Sequence, residues 1–130
     1  MTPQTSVLET ATCIFSHLEP GIILVHFKSK SVVTIEEQAV NLAAHQKFAG
    51  EKAHCIIYTA DEFVNFTPEA RQRAKELEHK INFLAAASIS KNIAYKIVAD
   101  FYIRFNKPKK PFRNFNDEKK AIEWLRSFLK

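Results

Sequence analysis

A chain of 130 residues with 19 Lys+Arg against 14 Asp+Glu, a formal net charge of +5 and 46% hydrophobic residues has the length of one domain, spanning 1–130. Its 25% charged residues match an ordinary soluble globular protein and exclude a disordered one. Two Cys without CxxC spacing exclude a disulfide scaffold and a zinc or redox motif, and two Gly leave no material for a phosphate-cradling glycine loop.

The first residues, Thr2 to Ser6, are polar and lack the basic-then-apolar profile of a signal peptide. The longest apolar run, Gly21 to Phe27, is interrupted by His26 and ended by Lys28, far short of a membrane span. With Cys13 and Cys55 reduced, the expected location is the cytoplasm.

In chain order, Val7 to His17 is rich in β-branched and aromatic residues and reads as one strand. Glu19-Pro20-Gly21 supplies a turn, Pro presetting φ and Gly accepting the positive φ after it. Ile22 to Phe27 then reads as a central strand covered on both faces, completing an N-terminal hairpin. Thr34 with Glu37 three residues on is a capping-box pattern. The helix it starts has Ile35, Ala39, Leu42, Ala43 and Ala49 at helical spacing and ends at Gly50. Ala53 to Thr59 is a short buried strand, in which Cys55 is expected to pack between Ala53 and Ile57.

A loop with Asp61, Glu62, Asn65 and two Phe leads to Thr67-Pro68, an N-cap followed by a first-turn proline. Ala70, Ala74, Leu77 and Ile81 are expected to line that helix's inner face. Asn82 to Ser88 is read as a strand because of its neighbours. Ser90 would cap a third helix with Ile93, Ile97, Val98, Phe101 and Phe105 on one face, stopped by Pro108 and Pro111. A short strand over Phe112 to Phe115 would turn both Phe inward, and Asn116 or Asp117 caps the last helix. The order β-β-α-β-α-β-α-β-α implies an α/β domain: a mostly parallel mixed sheet opened by a hairpin, with helices on both faces.

That order, and the ending Asn114-Phe115-Asn116-Asp117-Glu118-Lys119-Lys120-Ala121-Ile122-Glu123-Trp124-Leu125, resemble the SpoIIAA-like branch of the STAS superfamily. The ending is similar to that branch's Phe-x-x-x-x-x-Ala-x-x-Trp-Leu. The resemblance implies a small bacterial α/β domain that works through protein contacts. It also implies a regulatory role like that of anti-sigma-factor antagonists, in which a partner kinase phosphorylates a Ser in an Asp-Ser-Ser-Gly motif. The corresponding loop here, Thr59 to Arg71, has no such motif and contains neither Ser nor Gly, so no phosphorylation residue is carried over.

Thr67 is the hydroxyl nearest the helix start. A phosphate there would meet free N–H groups and the positive end of the helix dipole, with Arg71 one turn on; the competing role is a plain N-cap. From Arg104 to Arg113 stand five basic residues (Arg104, Lys107, Lys109, Lys110, Arg113) and no acid, with Phe105 and Phe112 interleaved. Charge with aromatic stacking suits an anion such as single-stranded nucleic acid or an acidic lipid surface. The competing role is a solvated connection whose Phe residues face the core.

No catalytic residues are expected. His54 and Cys55, adjacent on a strand, point to opposite faces, and there is no G-x-S-x-G elbow. His17, His26, His45, His54 and His79 form neither HExxH nor a close pair at ligand spacing, so no metal and no cofactor are expected. The reading is therefore a non-enzymatic cytoplasmic interaction or regulatory module with a protein partner or a second copy of itself. Anion binding through Arg104 to Arg113, or carriage of a small apolar ligand, are the alternatives.

Overall fold

A computed structural model describes residues 7–90 and 109–129. Where a single first strand was expected there are two, β1 (Val7–Glu9) and β2 (Cys13–Glu19), paired antiparallel. Thr10 breaks the run: its N–H bonds the Cys13 carbonyl at 2.8 Å, and its hydroxyl accepts from the Cys13 N–H at 3.0 Å. Side-chain oxygens that close a local turn compete with the sheet ladder. At Pro20-Gly21 the chain turns as expected into β3 (Ile22–Phe27), with Gly21 at φ 86°.

Next come β4 (Val32–Val33), α1 (Ile35–Ala49), β5 (His54–Ala60), β6 (Asn65–Phe66) and α2 (Pro68–Leu77). β7 (Phe83–Ile89), β8 (Phe112–Phe115) and α3 (Glu118–Arg126) complete the described elements. The helix expected to follow its cap at Ser90 falls on residues outside the described ones. Thr34, Thr67 and Asp117 each cap a helix with their own side chain, accepting from the N–H groups of Glu37, Ala70 and Lys119. Gly50 ends α1 at φ 67°, its N–H returning to the Gln46 carbonyl. A short 3₁₀ turn (Glu78–Lys80) follows α2, so Ile81 lies past the helix rather than on its face.

The main sheet runs β1-β2-β3-β5-β7-β8, antiparallel through β3 and parallel from β3 onward. Alternation along each strand sends side chains to two faces. Ile22, Cys55, Ile57, Ala85 and Ala87 pack on one face with Ala121 and Leu125 of α3. Cys13, Phe15, Ile23, Val25, Ile56 and Ala86 pack on the other, under Ala44, Phe48 and Ala49 of α1. This is the two-faced α/β sandwich the element order implies, a single domain. Full burial of Phe15, Ile22, Ile23, Ile56 and Ile57 stabilises it by roughly 1.5–3 kcal/mol each.

Small residues in β5 and β7 let α3 lie close to the sheet. The Cys55 thiol reaches the Leu125 carbonyl at 3.6 Å, and a Cβ on Gly21 would come within 3.0 Å of Leu129. Cys55 does not pack between Ala53 and Ile57, because Ala53 is exposed just before the strand begins. Phe112 and Phe115 do not share an inner side either. Three positions apart on a strand they take opposite faces, Phe112 beneath the α1 side and Phe115 against Trp124.

Beyond the C-terminal ends of β3 and β5 the two following loops are joined. β4 and β6 pair in parallel, and Lys30 donates its N–H to the Glu62 carbonyl at 3.1 Å. Asn65 donates to Ser31 and Thr67 to Val33 in the same way. Two non-glycine residues in these loops, Lys30 at φ 62° and Phe63 at φ 64°, hold left-handed backbone, a conformation that costs an L-residue roughly 1–2 kcal/mol.

Candidate functional site

The C-terminal ends of parallel strands are where open α/β sheets bind ligands. The register of β3 against β5 sets His26 beside Thr59 there, on the face shared with α3. His26 Nδ1 lies 2.7 Å from Thr59 Oγ1, and His26 Nε2 lies 3.1 Å from an oxygen of Asp61. Asp61 is held in place by its own N–H, which donates to the Phe27 carbonyl at 3.0 Å. A carboxylate only accepts, so Nε2 carries the proton facing Asp61, and in the neutral ring Nδ1 is left to accept from the Thr59 hydroxyl. The result is a hydroxyl–imidazole–carboxylate line, partly open to solvent: the His26 side chain is 28% exposed and that of Asp61 54%. Nothing in the spacing of residues 26, 59 and 61 reveals it; only strand register does.

A second polar assembly lies beneath α1. The helix does not turn Ala39 and Ala43 inward as the spacing suggests; both are exposed. Its inner face instead carries Asn41 and His45, beside Ala44 and Phe48. Asn41 bonds the hydroxyls of Thr10 and Thr12 at 2.6 and 2.8 Å, fixing the helix to the β1–β2 turn. Gln38 reaches across to the Ala70 carbonyl at 2.8 Å, fixing it to α2.

Further along α1, His45 and His54 meet with their Nε2 atoms 2.9 Å apart, 3% and 4% exposed. His54 Nδ1 donates to the Lys52 carbonyl at 2.9 Å, which leaves its Nε2 bare to accept from His45. Burial, with the neighbouring His54 adding to it, pushes His45 down to about 4. Burial also lowers His54, against the Lys52 carbonyl that favours its proton and with Lys110 and His17 opposing it. Both rings are therefore neutral near pH 7. His17 stacks on Phe48 at 4.5 Å beside them. Among the described residues no group of three or more His, Cys, Asp or Glu is placed to hold a metal ion.

Thr67 occupies the expected cap, its hydroxyl accepting from the Ala70 N–H at 3.2 Å. Arg104 and Lys107 lie outside the described residues. The backbone N–H groups of Lys109 and Lys110 are both donated to the Glu78 carboxylate, at 3.1 and 2.6 Å. Lys110 further bonds the Ile81 carbonyl at 2.9 Å and lies 4.1 Å over the Phe83 ring. Arg113 lies 5.0 Å over Phe115. Lys110 thus ties the chain entering β8 to the turn that leads into β7.

The loops joined at β4–β6 carry an apolar surface the sequence did not single out. Phe63 is 66% exposed, Val32 53% and Phe66 37%, with Phe66 resting edge-on against Phe27 at 5.0 Å. Among the described residues no helix is long and apolar enough to cross a membrane.

No curated protein matches the chain. Its structure is similar to that of an uncharacterised protein from the DUF3478 family, with a SpoIIAA-like fold, from Shewanella loihica PV-4. The two share 14% identity at a TM-score of 0.56, over 93% of this chain and 91% of that one, which establishes the SpoIIAA-like fold. A family profile described as a domain of unknown function, DUF7793, matches residues 16–129, and the chain belongs to that family.

Proposed function

We propose that this domain is a non-enzymatic protein-interaction module, cytoplasmic and regulatory, whose contact surface is the joined pair of loops beyond β3 and β5. The observation that carries the reading is the exposure of Phe63, Val32 and Phe66 on those loops. Grouped exposed aromatic and aliphatic side chains with a polar rim mark contact sites more often than chance exposure does. Charged residues of both signs are exposed on these loops: Lys30 on one, Asp61 and Glu62 on the other. Phe63 stands on left-handed backbone, φ 64°, a strain of the kind that clusters at functional sites. A SpoIIAA-like fold supports the reading by likeness alone.

The test is comparative capture from the native host with wild-type bait and a Phe63→Ser/Val32→Ser bait of unchanged melting temperature. Retention of one defined protein by the wild type and its loss from the variant is expected. Equal retention by both baits would refute the assigned surface, and a turnover activity abolished by a single substitution would refute the non-enzymatic reading.

A further inference from the structure

The hydroxyl–imidazole–carboxylate line at the end of β5 has a chemical consequence that goes beyond the interaction reading and does not depend on it. We propose that Thr59 is a covalent acyl-acceptor site, with His26 as its general base and Asp61 as the residue that positions and charges that base.

The geometry is that of an activated hydroxyl. A nucleophile is recognised by a base within hydrogen-bond reach that is itself oriented by a third group. Thr59 Oγ1 is 2.7 Å from His26 Nδ1, and the far ring nitrogen is 3.1 Å from Asp61. Neither distance depends on a mobile side chain alone: β3–β5 pairing sets the first, and the bond from the Asp61 N–H to the Phe27 carbonyl supports the second. Partial exposure of His26 and Asp61 leaves the line within reach of a small reagent.

The chemical class follows from charge. Asp61 faces the hydroxyl through the ring and Glu62 follows it in the chain, so an incoming dianionic phosphoryl group meets like charge. A neutral acyl carbonyl, activated as an ester or thioester, does not. In the step, Thr59 Oγ1 attacks the acyl carbon and its proton passes to His26 Nδ1. The bond between the acyl carbon and the leaving oxygen or sulfur then breaks, and the leaving group departs with its electron pair. Asp61 stabilises the imidazolium, which gives its proton to the leaving group or to water. No electrons are exchanged with a third party, and the product is a threonyl ester.

The test uses the full chain and p-nitrophenyl acetate as the probe, reading nitrophenolate release and locating acetyl groups by tandem mass spectrometry. One acetyl ester on Thr59 is expected, with one equivalent of nitrophenolate released as it forms. Thr59→Val should abolish it and Thr59→Ser retain it. His26→Gln should slow it by roughly 100-fold or more, the usual contribution of a general base. Asp61→Asn should slow it as well, because the imidazolium formed in the step loses the carboxylate that faces it, and Asp61→Glu should restore part of the rate. Each variant is compared at matched melting temperature. Acetyl groups confined to lysine amines, or a Thr59 ester that forms equally fast in His26→Gln, would overturn the proposal.

Discussion

Acidification should cost this protein stability through one buried pair of rings, His45 on α1 and His54 at the head of β5. Burial places His45 at about 4, against the ordinary value of 6.5 that it regains on unfolding. Below pH 6.5 the unfolded chain therefore takes up a proton that the folded chain refuses, so stability falls as pH falls and the loss is complete near pH 4. At 1.36 kcal/mol per pH unit, that interval corresponds to about 3 kcal/mol from His45 alone. His54, lowered for the same reason and further by the charge of Lys110, adds to the loss in the same direction. Against a typical domain stability of about 5–15 kcal/mol this is a large fraction. The assay is urea unfolding from about pH 7.5 to about pH 4.5, comparing wild type with His45→Leu/His54→Leu. Removing both rings avoids leaving one nitrogen unpartnered, which would itself cost about 1–3 kcal/mol. All the carboxylates remain in the variant, so the difference between the two curves isolates the pair. A difference that stays constant from neutral pH to about pH 4.5 would refute the reasoning.

Four further outcomes are expected. Gly21→Ala should destabilise more than Gly50→Ala in thermal melts: both carry positive φ, but only at Gly21 would the new Cβ press on Leu129, at 3.0 Å, while at Gly50 nothing lies within 4 Å. The strain common to both should cost roughly 1–2 kcal/mol. Cys13 and Cys55, both fully buried on opposite faces of the sheet, should resist thiol reagents until urea unfolds the chain, and should not form a disulfide with each other. Burial pushes the Cys13 thiol up to about 12, so the folded protein presents almost no thiolate there. Lys110→Gln should lower stability by about 1–2 kcal/mol through its lost bond to Ile81 and its lost position over Phe83. Thr67→Ala should cost about 1 kcal/mol as a lost helix cap, read from the same unfolding curves.

Much of the framework was legible because it is written in local chemistry. Pro20-Gly21, the caps at Thr34, Thr67 and Asp117, and the β-rich runs ending near Phe27 and Ala60 each specify their own backbone. What escaped is what depends on partners distant in sequence. β4 and β6 are two residues each and exist only because the loops they belong to meet. The inner face of α1 was misjudged by hydrophobicity: Asn41 and His45 face inward because Thr10, Thr12 and His54 offer them hydrogen bonds. Helical spacing finds apolar stripes and is blind to a polar stripe whose partners lie elsewhere. The same limit hid the line through Thr59, His26 and Asp61, which a one-residue slip of β3 against β5 would dissolve. The basic segment was legible as charge but not as structure: Lys110 fastens two parts of the chain.

The interaction surface can be tested most directly by placing a photo-crosslinking amino acid at position 63 in the living host, with position 84 as the reference. Leu84 is 37% exposed but lies near the start of β7, at the opposite end of the parallel strands from the joined loops. A single adducted protein from position 63, absent from position 84, is the predicted result. Adducts of equal yield from both positions, or none from position 63, would contradict it.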